Sequence, residues 1–263
     1  MIELPNEVLA PKNPDIEAMV VFGFNKVGKT ESLLQLPNSF MLDLEGSGGY
    51  YKGTYLTLKD IMIKHKIGPV TAIQQVADSI AAENKKLGTF KYDFGIIDSM
   101  SILEDIAMKY ATVLYKRSAV GSSFLGDDVV AELPRGGGYL WLRKAFEALL
   151  APYFGLFKTL ILVGRVKDSA ITKDGEEVEA IDLDLTGKLK TMVMLNCSVV
   201  GIMRKSKEDS NTNILSFINK SDDLATGSRA QHLDGREFVI AHKNQETGEV
   251  TTYWENIFTN LKK

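Results

Sequence analysis

The segment from residue 23 to residue 30 constrains the fold more than any other part of the sequence. It reads Gly-Phe-Asn-Lys-Val-Gly-Lys-Thr and fits the pattern G-x-x-x-x-G-K-T. Glycines let such a loop turn tightly, so that successive backbone N–H groups point inward and form a concave site for an anion. The loop follows an apolar run, residues 18–22, and precedes a helical pattern, residues 30–36. A strand, a glycine-containing loop and a helix N-terminus in this order are typical of a phosphate-binding loop, or P-loop.

Chemistry explains why the P-loop pattern ends in lysine and threonine. Lys29 would place a mobile ammonium on the β- and γ-phosphates of a nucleoside triphosphate, and the Thr30 hydroxyl is a ligand for Mg²⁺. We therefore predict that the chain binds ATP with Mg²⁺. The predicted nucleotide contacts come from the loop and the residue after it: Gly23, Asn25, Lys26, Val27, Gly28, Lys29, Thr30 and Glu31.

Carboxylates follow two further apolar runs. Asp98 ends the run at residues 94–97, where a P-loop protein needs an acid to hold Mg²⁺. Ser99 comes next, so the hydrolytic glutamate often found directly after this acid is missing. Glu45 follows the run at residues 39–44 and is the best candidate to orient an attacking water. Asp43, two residues earlier, is the alternative.

Composition limits the class of protein. The chain has 263 residues, 25% of them charged, with a net charge of −3, and one cysteine, Cys197. These values are typical of a globular protein with one large α/β domain or two small ones. They exclude an internal disulfide framework and give no support to a strongly basic nucleic-acid binder. With no signal peptide or membrane span in the sequence, we expect a soluble protein of the cytoplasm with no membrane partner.

Short apolar strands alternate with helical patterns along the chain. This alternation predicts an α/β fold, a single domain with a mostly parallel central sheet and helices on both faces. The predicted strands are residues 18–22, 39–44, 94–97, 159–164, 198–203 and 214–218. The predicted helices are residues 30–36, 70–86, 101–115 and 139–150, with a closing helix from residue 251. A long loop, residues 117–138, and a polar hairpin, residues 166–182, complete the prediction.

The predicted domain organisation has three parts. Residues 1–17 form an N-terminal arm, residues 18–240 form the core, and residues 241–263 form a helical extension packed on that core. The extension is placed there because Tyr253, Trp254, Ile257 and Leu261 make an apolar stripe at helical spacing.

The order of these motifs resembles the RecA-core ATPases in their short, single-domain phage form. The likeness rests on the P-loop, the segments Leu-Asp-Leu-Glu-Gly at 42–46 and Ile-Ile-Asp-Ser at 96–99, and the later helix and strand. Over residues 18–240 the chain looks most like phage ATP-binding proteins of single-strand annealing recombination. The resemblance implies a RecA-like fold, with Glu45 positioning water and Arg165 where the family has a γ-phosphate sensor, commonly Gln or His.

The resemblance also implies partners. Residues 117–138 and 166–182 occupy the places of the two DNA-binding loops of RecA-like filaments, although both are partly acidic. Lys220 and Arg229 lie where family members present basic residues to a neighbouring subunit's nucleotide. The leading hypothesis is an ATPase that assembles as a homo-oligomer or filament on single-stranded DNA during phage recombination, in the infected bacterial host. A single-strand-binding protein is a further candidate partner.

The rival hypothesis is a nucleotide-dependent assembly or regulatory module with little turnover and no DNA binding. The net charge of −3 and the acidic loops favour this rival.

Overall fold

The structure, a computed structural model, describes residues 15–126, 129–130, 133–134, 137–173, 176–219 and 226–261; within these, the side chains of 168–173 and 176–181 are not described. Most of the predicted N-terminal arm and Lys220 therefore lie outside the described residues. So do Asp174 and Gly175, at which the hairpin is predicted to turn.

Eleven strands of the described chain form one sheet. Their path runs β11-β10-β8-β7-β1-β5-β4-β2-β3, with β6 paired to β5 and β9 paired to β7. The strands are β1 Ala18–Gly23, β2 Ser39–Asp43, β3 Tyr55–Thr57, β4 Phe94–Asp98, β5 Thr159–Lys173, β6 Glu176–Leu183, β7 Val199–Lys205, β8 Thr212–Ser216, β9 Gly227–Ser228, β10 Glu237–Lys243 and β11 Val250–Thr252.

Strands β7, β1, β5, β4, β2 and β3 are parallel; the first five form the centre of the sheet, and β3 lies at its edge. Five of them correspond to runs that the sequence analysis identified as strands. These runs are almost wholly apolar because helices and loops cover both faces of the strands. Their carboxyl ends meet at one edge, where the register places Gly23 beside Arg165 and Asp43 beside Asp98. The motifs from separate parts of the chain therefore converge at this edge.

Six α-helices of the described residues accompany the sheet: α1 Lys29–Leu33, α2 Leu58–His65, α3 Pro69–Leu87, α4 Met100–Arg117, α5 Gly138–Leu150 and α6 Lys188–Asn196. Helix α3 shows why they form. Pro69 stands at its start, where its missing N–H costs nothing, and Gly88 ends it in the left-handed conformation. Between them Ala72 and Ile73, four and three residues before Val76, are buried against the sheet together with Val76.

Helices lie on both faces, as predicted, but unevenly. The first face packs against helices α2 to α6, and alternate residues of β1, including Val20 and Phe22, lie in this core. The opposite face packs against α1 and against the C-terminal segment, which contributes Trp254 and Phe258. The five-residue α1 is too short to cover a sheet face, so the C-terminal segment completes the second core.

The predicted C-terminal helix is wrong. Residues from Val250 form the short strand β11, which pairs with β10, and two turns of 3-10 helix follow at Trp254–Asn256 and Thr259–Leu261. The apolar residues at helical spacing do pack on the core, but they do so from an irregular segment. Strand β10 begins before residue 241, so the predicted boundary of the extension cuts through a strand of the central sheet.

Several elements were not predicted, mainly short ones such as β3, β9, α2 and α6. The hairpin prediction is confirmed in its pairing, because β5 and β6 are antiparallel from Val166–Leu183 to Lys173–Glu176. Strand β5, however, runs without a break from the buried sheet into this hairpin, whereas the prediction ended the strand at Gly164. Within the described residues no helix has the length and apolar character needed to cross a membrane.

Candidate nucleotide-binding site

The P-loop lies between β1 and α1, as predicted. A Cβ atom at Gly23 would come within 2.4 Å of the Met203 carbonyl oxygen on neighbouring β7, so only glycine fits there. Gly28 has φ +97°, in the left-handed region, and directly precedes α1. Lys26 also has a positive φ, and Val27 is buried in the core. Val27 can therefore meet a ligand only through its backbone, while Asn25 and Lys26 are exposed.

The Lys29 ammonium lies inside the loop. Its Nζ donates to the carbonyl oxygens of Gly23, at 2.7 Å, and Phe24, at 2.9 Å. Burial lowers the pKa of Lys29, and the nearby carboxylates of Asp98 and Glu45 oppose that shift. A phosphate group would offer the same ammonium a charged acceptor in place of neutral carbonyls, and charge-assisted hydrogen bonds are the stronger kind.

Thr30 and Asp98 are brought together although 68 residues separate them in the sequence. The Thr30 hydroxyl donates to Asp98 Oδ2 at 2.6 Å, and Ser47 Oγ lies 3.4 Å from the same hydroxyl. Asp98 is 3% exposed, and burial together with the charges of Glu45 and Asp43 raises its pKa to about 6. A cation here would offset this concentration of negative charge.

These oxygen atoms fit Mg²⁺. The described residues contain no group of three His, Cys, Asp or Glu side chains arranged to hold a metal. Magnesium at phosphate sites is commonly held by one or two protein oxygens together with phosphate oxygens and water, so no larger cluster is needed. Thr30 and Asp98 are the side chains that would hold the ion.

Asp43, the alternative water-positioning residue, has a structural role in the loop, which favours Glu45. The side chain is fully buried. Its Oδ1 accepts from the backbone N–H groups of Glu45, at 3.1 Å, and Gly46, at 2.8 Å, and its Oδ2 accepts from Gly48 N–H at 2.6 Å. Both carboxylate oxygens are thus used to shape the loop that presents Glu45.

Glu45 faces the cavity and joins two other elements. Its Oε1 accepts from Arg165 Nη2, at 2.9 Å, and Arg165 Nε, at 3.2 Å, and it also accepts from the Ser99 hydroxyl. The side chains of Arg165 and Glu45 are 37% and 24% exposed. An ion pair so open to water contributes little to stability. Arg165 can therefore exchange Glu45 for another anion at small cost.

A cavity of about 350 Å³ connects these groups, a volume within the range of small-molecule sites. It is lined by Asn25, Lys26, Gly28, Lys29, Thr30, Glu31, Glu45, Ser47, Tyr51, Asp98, Ser99 and Arg165. Glu31 is also turned toward Lys243 of β10, whose Nζ lies 3.4 Å and 3.5 Å from its two carboxylate oxygens.

Not every predicted residue reaches this cavity. Arg229 is exposed, and its N–H donates to the Ser198 carbonyl at 2.9 Å, next to the amino end of β7. The P-loop is at the carboxyl end of the same sheet, so Arg229 does not serve the site of its own chain. Its action on a neighbouring subunit stays a prediction, as does that of Lys220, which lies outside the described residues.

Sequence reasoning missed Ser47, Tyr51 and the bond between Ser99 and Glu45. Ser47 and Tyr51 belong to a glycine-rich segment without periodicity, which we expected only to loop out. Their position close after Glu45 was the one available signal, because a loop that presents a site residue also lines the site.

A family model described as the AAA domain matches residues 17–247. No curated protein matches the chain. Among solved structures, the crystal structure of the RadB recombinase is similar, with 13% sequence identity and a TM-score of 0.41, over 91% of this chain and 92% of that chain. Because the family model covers most of the sequence, including the P-loop, Glu45, Asp98 and Arg165, this chain belongs to the AAA domain family.

Proposed function

We propose that this protein binds ATP with Mg²⁺ and hydrolyses it. The observation that carries the proposal is the 2.6 Å bond from Thr30 of the P-loop to Asp98 at the end of β4. That contact places a hydroxyl, a buried carboxylate and the Lys29 ammonium around one cavity. Each of these groups has a known use in phosphoryl transfer.

The position of each side chain in the cavity supports a role for it in ATP binding or hydrolysis. The P-loop amides and Lys29 bind the triphosphate and stabilise charge that develops on the γ-phosphate. Thr30 and Asp98 hold Mg²⁺, which when bound would neutralise charge on the phosphate oxygens. Arg165 leaves Glu45 and contacts the γ-phosphate, because a phosphate offers it a doubly charged partner. Glu45, freed from Arg165 and still held by Ser99, accepts a hydrogen bond from the attacking water and orients it.

Binding and turnover test this proposal separately. A fluorescent ATP analogue, titrated with and without Mg²⁺, measures affinity, and release of inorganic phosphate measures turnover. We expect binding that depends on Mg²⁺ and slow turnover. Failure of the wild-type protein to bind the analogue at millimolar concentration would contradict the proposal.

We propose further that single-stranded DNA binds the groove between α5 and α6. The groove has a volume of about 680 Å³ and is lined by Leu140, Arg143, Lys144, Glu147, Lys188, Thr191, Met192 and Leu195. On each helix these residues follow the spacing i, i+3, i+4, i+7 and therefore share one face. Three of the lining side chains are cationic and one is acidic.

The chemistry of the groove supports a polyanion with bases. None of the three cations forms an ion pair with a carboxylate in the described part of the chain. Tyr139 is 63% exposed one turn before Arg143 and is available to stack on a base. Phe124 and Trp141, also candidates for stacking, instead pack edge-on against Tyr115 with ring centroids 5.5 Å and 5.6 Å away.

A charge-reversal pair tests the groove. In Arg143→Glu/Lys188→Glu each helix loses one cation, and we expect affinity for a fluorescein-labelled oligo-dT to fall at least tenfold, with the salt slope reduced by about 2. The matched control is Lys59→Glu/Lys64→Glu, the same charge change at two exposed lysines of α2, which should bind within about twofold of wild type. Equal loss in both variants would mean that only net charge matters and would contradict the groove.

The proposal extends to the coupling between ATP binding and DNA binding, and to the biological role. We propose that ATP binding orders an oligomer on single-stranded DNA and that hydrolysis releases it, in phage recombination by annealing. The DNA titration repeated with ATP and without nucleotide tests the coupling, and equal affinities would contradict it. If the wild-type protein binds no oligo-dT in either condition, the rival function, a nucleotide-dependent assembly module without DNA, replaces this one.

A further inference from the structure

Helix α1, which carries Lys29 and Thr30, is only five residues long. Such a short helix has little stability of its own, so tertiary contacts must hold it. Its direction decides where the Thr30 hydroxyl points relative to Asp98. The contacts that fix α1 therefore matter for the site even where they touch no ligand.

Asn213 of β8 lies directly beneath the P-loop. Its side chain is 5% exposed, and its Nδ2 lies 2.8 Å from the point that a Cβ atom at Gly28 would occupy. The same amide nitrogen donates to the Ser32 hydroxyl of α1 at 3.4 Å. Its Oδ1 is buried and finds no hydrogen-bond partner among the residues that the structure describes. A buried amide with an unsatisfied oxygen is costly, which argues against a role in stability alone.

Trp254 holds α1 through the same residue. Its indole N–H donates to the Ser32 carbonyl oxygen at 2.8 Å, and the side chain is 2% exposed. Ser32 therefore accepts two hydrogen bonds, one at its hydroxyl from Asn213 and one at its carbonyl oxygen from Trp254. Both hydrogen-bond donors follow the parallel strands in the sequence. Neither Asn213 nor Trp254 lines the cavity.

We propose that Asn213 and Trp254 are positioning residues of the phosphate site, which act through Ser32 to aim Thr30 at Asp98 and the loop amides at the phosphates. The proposal rests on the ATP-binding function. Asn213 of the antiparallel part of the sheet and Trp254 of the C-terminal segment thereby belong to the nucleotide-binding machinery as well as to the core.

Two variants remove the bonds while they preserve most of the packing. Asn213→Leu keeps the same branched arrangement of four side-chain heavy atoms but cannot bond Ser32, and Trp254→Phe keeps an aromatic ring but loses the indole N–H. We expect each to bind Mg²⁺–ATP about tenfold more weakly, the effect of one ordinary hydrogen bond. The Mg²⁺ concentration needed for half-maximal binding should also rise, because the Thr30 hydroxyl is displaced.

The control is Phe258→Leu, which weakens the same core, since Phe258 packs against Trp254 with ring centroids 6.0 Å apart. We expect this variant to lose thermal stability but to keep the wild-type affinity and Mg²⁺ dependence. If Asn213→Leu and Trp254→Phe also lower only the melting temperature, both residues are structural and the inference is wrong. If the wild-type protein itself binds no ATP, the proposed function fails, and this inference fails with it.

Discussion

The P-loop lies between two flanks that are built from different kinds of side chain. On one flank β5 and the ends of β4 and β2 present Arg165, Asp98 and Glu45, charged groups joined to each other or to loop residues. On the other, Asn213 and Trp254 reach α1 with neutral, buried hydrogen-bonding groups. The charged groups on the first flank can exchange partners with a ligand, at least where water reaches them. The neutral groups on the second flank, Asn213 and Trp254, do not exchange partners with a ligand. They hold the loop in place through α1.

The largest effect is expected where the two flanks meet, at Lys29. Lys29→Ala removes the ammonium that contacts the phosphates, and we expect ATP affinity to fall by at least about a hundredfold. Titration with a fluorescent ATP analogue measures it. Lys26→Asn is the comparison, because it removes an exposed cation that also lines the cavity and asparagine tolerates the left-handed backbone found there, and we expect a smaller loss than for Lys29→Ala. Equal losses in both variants would mean that the loop contributes only general positive charge.

On the charged flank, Glu45→Gln should separate binding from chemistry. The amide keeps the size of the side chain and an acceptor for Ser99, but it orients water poorly. We expect ATP affinity within about threefold of wild type and turnover reduced about a hundredfold. Phosphate release under saturating ATP measures the second quantity. Unchanged turnover would remove Glu45 from catalysis.

Asp43 lies two residues before Glu45 and should behave in the opposite way. Asp43→Ala leaves three backbone N–H groups without their acceptor, and we expect a loss of about 2–3 kcal/mol in the free energy of unfolding. Chemical denaturation compared with Glu45→Gln measures it. If Asp43→Ala keeps wild-type stability and loses only turnover, the assignment of roles to these two carboxylates must be reversed.

The smallest expected effect is at Asp98. It tests how much the ionised, buried carboxylate lowers the stability of the fold. Burial is the main cause that raises the folded-state pKa of Asp98 from its ordinary value of 3.8 to about 6, so ionisation destabilises the fold as pH rises between these values. We expect Asp98→Asn to stabilise the protein by about 1–2 kcal/mol at pH 8 without Mg²⁺ or nucleotide, and not below pH 4. Thermal melting at both pH values checks this. The same variant should lose the stabilisation by Mg²⁺–ATP.

Much of the charged flank was predictable, because local patterns encode it. A P-loop has fixed residue types, and an acid at the end of an apolar strand lies at the ligand-binding edge of a parallel sheet. Glu45 and Asp98 were found by that reasoning. The choice between Glu45 and Asp43 was not predictable, because both follow the same strand and only the hydrogen bonds of Asp43 to three amides distinguish them.

The sequence by itself determined the P-loop, the parallel centre of the sheet and the residues at its carboxyl edge, because periodicity and residue type along a short segment specify them. The tertiary structure alone decided the supporting flank. Trp254 lies at helical spacing with other apolar residues and predicted a helix, yet it belongs to a 3-10 turn that completes the core over α1. Packing against distant strands overrides local helix propensity, and a bond across 222 residues leaves no local signal in the sequence.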